Sequence, residues 1–283
     1  GDHGCESASA MTKRKLEDVD SGLASLTPEE ISHYHEQGYV IPKDFRLPES
    51  FLDAIKDAHA RLLRDHEAEH PEFRDYCGAL LPFDLGFLNF ARHPGIVNMV
   101  SQLIGADLAL WNMSFFAKPA GTGRRVPWHQ DGQYWCMRPL RTCTVWVAVD
   151  RSHTGNGCLR VIPGSHKADL FPHLEHDDPK NLALQLETRP DSFDAGRAVD
   201  LVLEPGQISL HDVFLVHGSE RNASDHSRRG MTMRFMPTTS VYRRDLDRPG
   251  VAELPLFLMS GEDRSGRNDF GLVRKRRQEP DEV

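Results

Sequence analysis

The sequence predicts a mainly β protein with flanking α-helices, built around a jelly-roll or cupin-like core. Helical periodicity is confined to the first third of the chain. From Gly105 onward the pattern changes to short runs rich in β-branched and aromatic residues, divided by Gly- and Pro-containing turn clusters. The length, 283 residues, suits one sizeable core with extensions.

The first helix is announced by Thr27-Pro28-Glu29-Glu30, a Thr cap with Pro in the first turn and acids that favour the helix dipole. It should stop at Gly38. A second amphipathic stretch runs from about Glu49 to Glu69, with Phe51, Leu52, Ile55, Ala58, Leu62 and Leu63 at helical spacing, and Pro71 ends it. A third spans Pro94 to Ile104 and is stopped by Gly105. Strands are expected over Leu108 to Lys118, Thr142 to Val149, Gly157 to Ile162, Ala198 to Leu203, Gln207 to His211 and Met231 to Met236. His166 to Gly196 is polar and lacks alternation, so it reads as an unstructured insertion and a candidate lid. The expected organisation is a disordered leader over 1–26, whose first ten residues precede Met11 and are foreign to the fold, then one domain over 27–283. That domain divides into a helical part (27–105), a β core (106–241) holding the 166–196 insertion, and a C-terminal extension (242–283).

Asp plus Glu outnumber Lys plus Arg by 42 to 34, for a net charge of −8, which gives no general basic surface for nucleic acid or anionic membranes. No apolar run approaches the roughly 20 residues of a membrane-spanning helix, and a cytoplasmic enzyme is expected. Five cysteines without a C-x-x-C pair suggest neither a disulfide framework nor a thiolate zinc site.

Chemistry concentrates at Trp128-His129-Gln130-Asp131, read as lying just before a strand. On extended backbone, residues i and i+2 share a face, so His129 and Asp131 can converge on one ion. His217 follows another strand-like run and supplies a third ligand. Two histidines and one carboxylate with open positions form the facial triad of non-haem iron(II) oxygenases. H-x-D alone matches by chance in a chain with 15 histidines. His217-Gly218-Ser219 followed by Arg228 strengthens it, because a guanidinium fork suits the distal carboxylate of 2-oxoglutarate. The His173 to Asp178 cluster reads as a solvated acidic loop rather than a second metal site.

These residues sit within a longer ordered series: Leu110-Trp111, Ser114-Phe115-Phe116 with Lys118, Pro127 to Asp131 with Tyr134-Trp135, Thr144 to Asp150, Asn156 to His166, His217 to Ser219, Asn222, Ser224, Arg228 and Arg234-Phe235. In this series, from about Thr27 to Val241, the chain resembles the phytanoyl-CoA dioxygenase family. The resemblance implies a double-stranded β-helix, catalytic iron(II) at His129, Asp131 and His217, and 2-oxoglutarate held by Arg228 and Ser219, with O2 as oxidant. It assigns Asn112, Thr144 and Trp146 to the cosubstrate, although Trp146 reads equally as a barrel-core aromatic. Relatives that halogenate replace the carboxylate with a small residue, so the intact Asp131 favours hydroxylation.

For the substrate, Gln130, Tyr134, Trp135, Arg124 and Arg234 are the candidate contacts. The expected substrate is a small polar or zwitterionic metabolite, such as an amino acid, an osmolyte or 2-aminoethylphosphonate, because no basic cluster suits a CoA diphosphate. Acyl-CoA or terpenoid hydroxylation remains an alternative within the family. A non-catalytic, metal-binding ligand-binding protein is the alternative outside it. Oligomeric state is not legible from the sequence.

Overall fold

The computed structural model describes residues 23–246 and 250–270. All but the last four residues of the expected leader, and the end of the C-terminal extension, lie outside the described residues.

Among the described residues, four helices form the N-terminal layer: α1 (Pro28–Gln37), α2 (Glu49–His66), the short α3 (Leu88–Ala91) and α4 (Pro94–Ile104). The α1 start is a complete capping box. Thr27 accepts from the Glu30 backbone N–H, and the Glu30 carboxylate accepts from the Thr27 N–H. Gly38 ends it at φ +87, a left-handed conformation that costs glycine no Cβ clash. The expected boundaries of α1 and α4 coincide with the observed ones, and α2 ends three residues before Glu69.

The strands, in chain order, are β1 (Tyr39–Val40), β2 (Tyr76–Cys77), β3 (Leu108–Phe116), β4 (Val126–His129), β5 (Met137–Arg138), β6 (Cys143–Ala148), β7 (Leu159–Val161), β8 (His173–Glu175), β9 (Leu186–Thr188), β10 (Val199–Leu201), β11 (Ile208–Asp212), β12 (His217–Ser219), β13 (Gly230–Pro237), β14 (Val241–Tyr242) and β15 (Phe257–Ser260). The larger sheet runs β1-β11-β6-β13-β3-β15, with β2 also paired to β3; the smaller runs β10-β7-β12-β4. Among the described residues, the pairings within both sheets are antiparallel. This is the mainly β, jelly-roll core that the strand pattern predicted.

Period-2 alternation gives the larger sheet two chemically distinct faces. Its outer face presents Leu110, Met113, Phe115, Val145, Val147, Ile208, Leu210, Met231, Met233 and Phe235 to Phe51, Leu52, Ile55, Leu62, Ile96 and Val100 of the helices, forming one buried cluster. Its inner face turns polar side chains toward the smaller sheet.

Three expectations need correction. The 166–196 insertion is not structureless: β8 and β9 form a hairpin, with Leu174 opposite Glu187, whose short length and exposed side chains hide the alternation. The H-x-D motif closes strand β4 rather than preceding a strand, with Asp131 opening a 3-10 turn. The C-terminal extension is partly core, since β15 adds to the larger sheet beside β3. Cys77, Cys136, Cys143 and Cys158 are buried free thiols, in keeping with packing roles.

Candidate active site

Strand pairing assembles the site. His129, at the end of β4, stands directly opposite His217, at the start of β12, and their rings lie 4.2 Å apart between centroids. Gln130 is extended, so Asp131 returns to the face of His129. His129 Nε2 is then 3.4 Å and His217 Nε2 3.7 Å from Asp131 Oδ1, and the three candidate ligand atoms lie within 4.8 Å of one another. Among the described residues, no other trio of histidine, cysteine or acidic side chains is so disposed. His173 instead bonds within its hairpin, to Thr188.

The hydrogen bonds fix the tautomers. Nδ1 of His129 lies 2.8 Å from the Pro127 carbonyl, and Nδ1 of His217 lies 2.8 Å from the Leu215 carbonyl. A carbonyl only accepts, so each Nδ1 carries a proton and each Nε2 is the nitrogen left to face Asp131. Burial, followed by the charge of His129, pushes His217 well below the ordinary imidazole pKa and keeps it neutral. Burial alone would raise the Asp131 carboxyl; His217, His129 and His211 around it outweigh burial and hold it well below the usual carboxylate range. Two imidazole Nε2 atoms and a carboxylate thus converge on one point. A divalent cation fits that donor set.

The larger sheet forms the opposite wall. His211, Thr144, Arg234 and Asn112 lie side by side on β11, β6, β13 and β3. Two residues along, the adjacent rung is Ser209, Trp146, Thr232 and Ser114. Thr144 Oγ1 stands 3.5 Å from Asp131 Oδ2. Arg228, just ahead of β13, is 2 % exposed, with its Cζ 5.1 Å from the centre of the Trp146 ring and its Nε without a partner. Burial lowers its pKa to about 10, so it stays charged at neutral pH. Gly230 makes room for Trp146, because a Cβ there would sit inside the indole ring. The cavity between the sheets measures about 330 Å³.

Of the residues singled out from sequence, His129, Asp131, His217, Ser219, Arg228, Asn112, Thr144, Trp146, Tyr134, Trp135 and Arg234 line this cavity. Gln130 and Arg124 do not. Gln130 points away by the same period-2 rule that pairs its neighbours; its amide donates to the Phe214 carbonyl and accepts from the Phe171 N–H, anchoring the insertion. Arg124 is engaged by Asp75 and donates to the Pro179 and Leu182 carbonyls.

Sequence reasoning missed three residues. His211 is a fourth imidazole, 2 % exposed, with Nε2 3.4 Å from Asp131 Oδ2. The alternation Ile208, Ser209, Leu210, His211 was a signal that could have found it. Tyr76, on β2, lines the cavity from the N-terminal part and had no such signal. Lys118, buried beside Arg228, donates to the carbonyls of Arg124 and Glu220, and burial with the Arg228 charge lowers its pKa to about 6.

Residues 34–230 match the family model described as phytanoyl-CoA dioxygenase. A probable phytanoyl-CoA dioxygenase of Caenorhabditis elegans is 25% identical over 234 residues, covering 74% of this chain and 75% of that protein. The 2-aminoethylphosphonate dioxygenase of uncultured bacterium HF130_AEPn_1 is 29% identical over 229 residues, covering 75% and 82% respectively. Among solved structures, CytC3 with Fe(II) and alpha-ketoglutarate superposes with a TM-score of 0.64 at 24% identity, covering 88% of this chain and 94% of that one.

Proposed function

The chain belongs to the phytanoyl-CoA dioxygenase family, and on that premise we propose that it is an iron(II)- and 2-oxoglutarate-dependent dioxygenase that hydroxylates a C–H bond of a small polar or zwitterionic metabolite. The observation that carries this reading is the convergence of two buried imidazoles and one carboxylate opposite a buried guanidinium without a counter-ion.

His129, Asp131 and His217 would hold iron. When bound, iron and 2-oxoglutarate supply oxygen activation coupled to oxidative decarboxylation to succinate and carbon dioxide. The chain's own groups bind and position. Arg228 neutralises the distal carboxylate of the cosubstrate, and Ser219, Asn112, Thr144 and Trp146 line the space between that cation and the triad. The carbonyls of Pro127 and Leu215 keep the ligand imidazoles in the metal-binding tautomer. Trp111, Tyr134, Trp135, Leu184, Val251 and Leu254 exclude water, so the insertion and the C-terminal extension both contribute to this wall. Tyr134 also bonds the main chain of Leu186 at 3.3 Å and so ties the β8-β9 hairpin to the cavity mouth; we assign that hairpin a closing role.

A cavity near the lower end of the roughly 300–1,000 Å³ usual for ligand sites favours a small substrate over an enclosed acyl-CoA. The likeness to a 2-aminoethylphosphonate dioxygenase makes that compound the first to test. The test is succinate formation by the iron(II)-loaded protein with 2-oxoglutarate under air, across amino acids, aminophosphonates, osmolytes and acyl-CoAs. Substrate-dependent succinate from a small polar compound is the expected result. Turnover confined to acyl-CoA would overturn the substrate class, and absence of iron-dependent 2-oxoglutarate binding would overturn the reading.

A further inference from the structure

Two guanidinium groups, not one, are buried in this cavity without a carboxylate partner among the described residues. The proposed cosubstrate accounts for Arg228. Arg234 is 7 % exposed, and it donates from Nη1 to Ser114 Oγ. Its Nε is buried with no partner. A guanidinium offers five N–H donors, and leaving them unsatisfied away from water is costly unless a ligand completes them.

The surroundings of Arg234 are built rather than incidental. The β13-β3 register jumps from Arg234 opposite Asn112 to Phe235 opposite Leu110, which leaves Trp111 as the extra residue of a β-bulge. The bulge lets both Trp111 and Asn112 line the cavity. Trp111 and Trp135 contact each other edge-on at 4.5 Å, and the Arg234 Cζ lies 5.9 Å and 5.3 Å from their ring centres. The cation thus lies near two indole rings, contacts that consume none of its N–H donors. Tyr76 and Asn112 add polar atoms to the same wall.

Resting on the oxygenase reading above, we propose that Arg234 is the anchor for an anionic group of the substrate, a carboxylate or phosphonate. It takes a bidentate pose on the guanidinium framed by Trp111, Trp135, Tyr76 and Asn112. The position also limits substrate length. Arg234 is the direct cross-strand neighbour of Thr144, about 4.8 Å away in sheet geometry, and Thr144 reaches Asp131. An anion seated on Arg234 therefore places carbons only a few bonds away beside the metal ligands. Short phosphonates and amino acids meet that requirement; a long chain whose only anion is remote from the reacting carbon does not.

The test uses the full chain loaded anaerobically with manganese(II) and 2-oxoglutarate. It is titrated with 2-aminoethylphosphonate, ethylphosphonate, β-alanine and ethanolamine, following tryptophan fluorescence, to which Trp111, Trp128, Trp135 and Trp146 all contribute, together with calorimetry as the binding measurement. Saturable binding of at least one anionic probe and none of ethanolamine is expected. Arg234→Gln should weaken the anionic probe at least about tenfold and change 2-oxoglutarate affinity less than about twofold, and Arg234→Lys should restore part of the loss. Circular dichroism of each variant checks that it is folded. The assignment is overturned if no anionic probe binds the unaltered protein, if ethanolamine binds as well as the anions, or if the folded Gln variant retains full anion affinity. It is also overturned if that variant loses 2-oxoglutarate as Arg228→Gln does, since Arg234 would then serve the cosubstrate. Failure of the unaltered protein to bind 2-oxoglutarate with metal is a separate result, which removes the oxygenase reading itself.

Discussion

The two faces of the larger sheet are drawn from the same strands, one residue apart, and do opposite things. Leu210, Val145, Met233 and Met113 form a rung on the outer face, all fully buried against the helical layer. His211, Thr144, Arg234 and Asn112 form the next rung, on the inner face. The outer rung stabilises by removing apolar area from water. The inner rung and its neighbours hold polar atoms out of water without partners: Nδ1 of His211, Nε of Arg228 and Arg234, and the hydroxyls of Ser209 and Thr232. Folding energy gained on one face supports unsatisfied chemistry on the other, and those unsatisfied groups are where ligands gain affinity.

If the division holds, substitutions on the inner face change binding without unfolding the chain, and substitutions on the outer face do the reverse. The largest effect is expected at Asp131. Asp131→Ala removes the only carboxylate of the triad, and metal-dependent consumption of 2-oxoglutarate should fall more than about a hundredfold, with an unchanged circular dichroism spectrum. Loss of fold in this variant would break the comparison. Next comes Phe115→Ala on the outer face. Phe115 is fully buried and its ring lies 4.0 Å from that of His59, nearly parallel. The substitution should cost about 3–5 kcal/mol in urea unfolding, while the folded fraction keeps its affinity for 2-oxoglutarate.

Arg228→Met sharpens the contrast further. Arg228 is buried without a counter-ion in the ligand-free protein, so replacing it by an apolar chain of similar length removes a desolvated charge. The melting temperature of the ligand-free protein should hold or rise. Calorimetric affinity for 2-oxoglutarate should drop by roughly ten- to a hundredfold, the worth of a charge-assisted pair. A variant both less stable and unchanged in affinity would reassign Arg228 to the scaffold.

The same contrast explains what could be read from sequence. The outer face was legible because burial there demands apolar, β-branched and aromatic residues, and of the six runs found by that composition those over β3, β6, β11 and β13 carry it. The triad was legible because H-x-D uses the same period and His217-Gly218-Ser219 with Arg228 supplies an independent signal. Gln130 was misplaced even though the rule that joins His129 to Asp131 turns the residue between them outward. Arg124 lies in a loop whose partners, Asp75 and the carbonyls of the insertion, are remote in sequence. The bulge at Trp111 was not legible: an extra residue breaks the period, and only the register with β13 reveals it. Strands β8 and β9 escaped because a short exposed hairpin needs no apolar side.

The smallest effect tests the outer face by pH. His59, on α2, is 6 % exposed, and its Nε2 has no partner. Burial first, and the charge of Arg229 second, lower its pKa from 6.5 to about 4. Between those values the unfolded chain binds a proton that the folded chain refuses, so stability falls as pH drops through this window and is unaffected above it. His59→Phe keeps an aromatic ring against Phe115 and removes the proton. Urea unfolding of metal-free protein at pH 8, 6 and 5 should give curves for variant and parent separated by a constant above pH 7. The variant should gain roughly 2 kcal/mol on its parent by pH 5. Parallel curves throughout would mean that the folded state accepts the proton at His59. The helical layer would then share the tolerance for charge that this comparison reserves for the inner face.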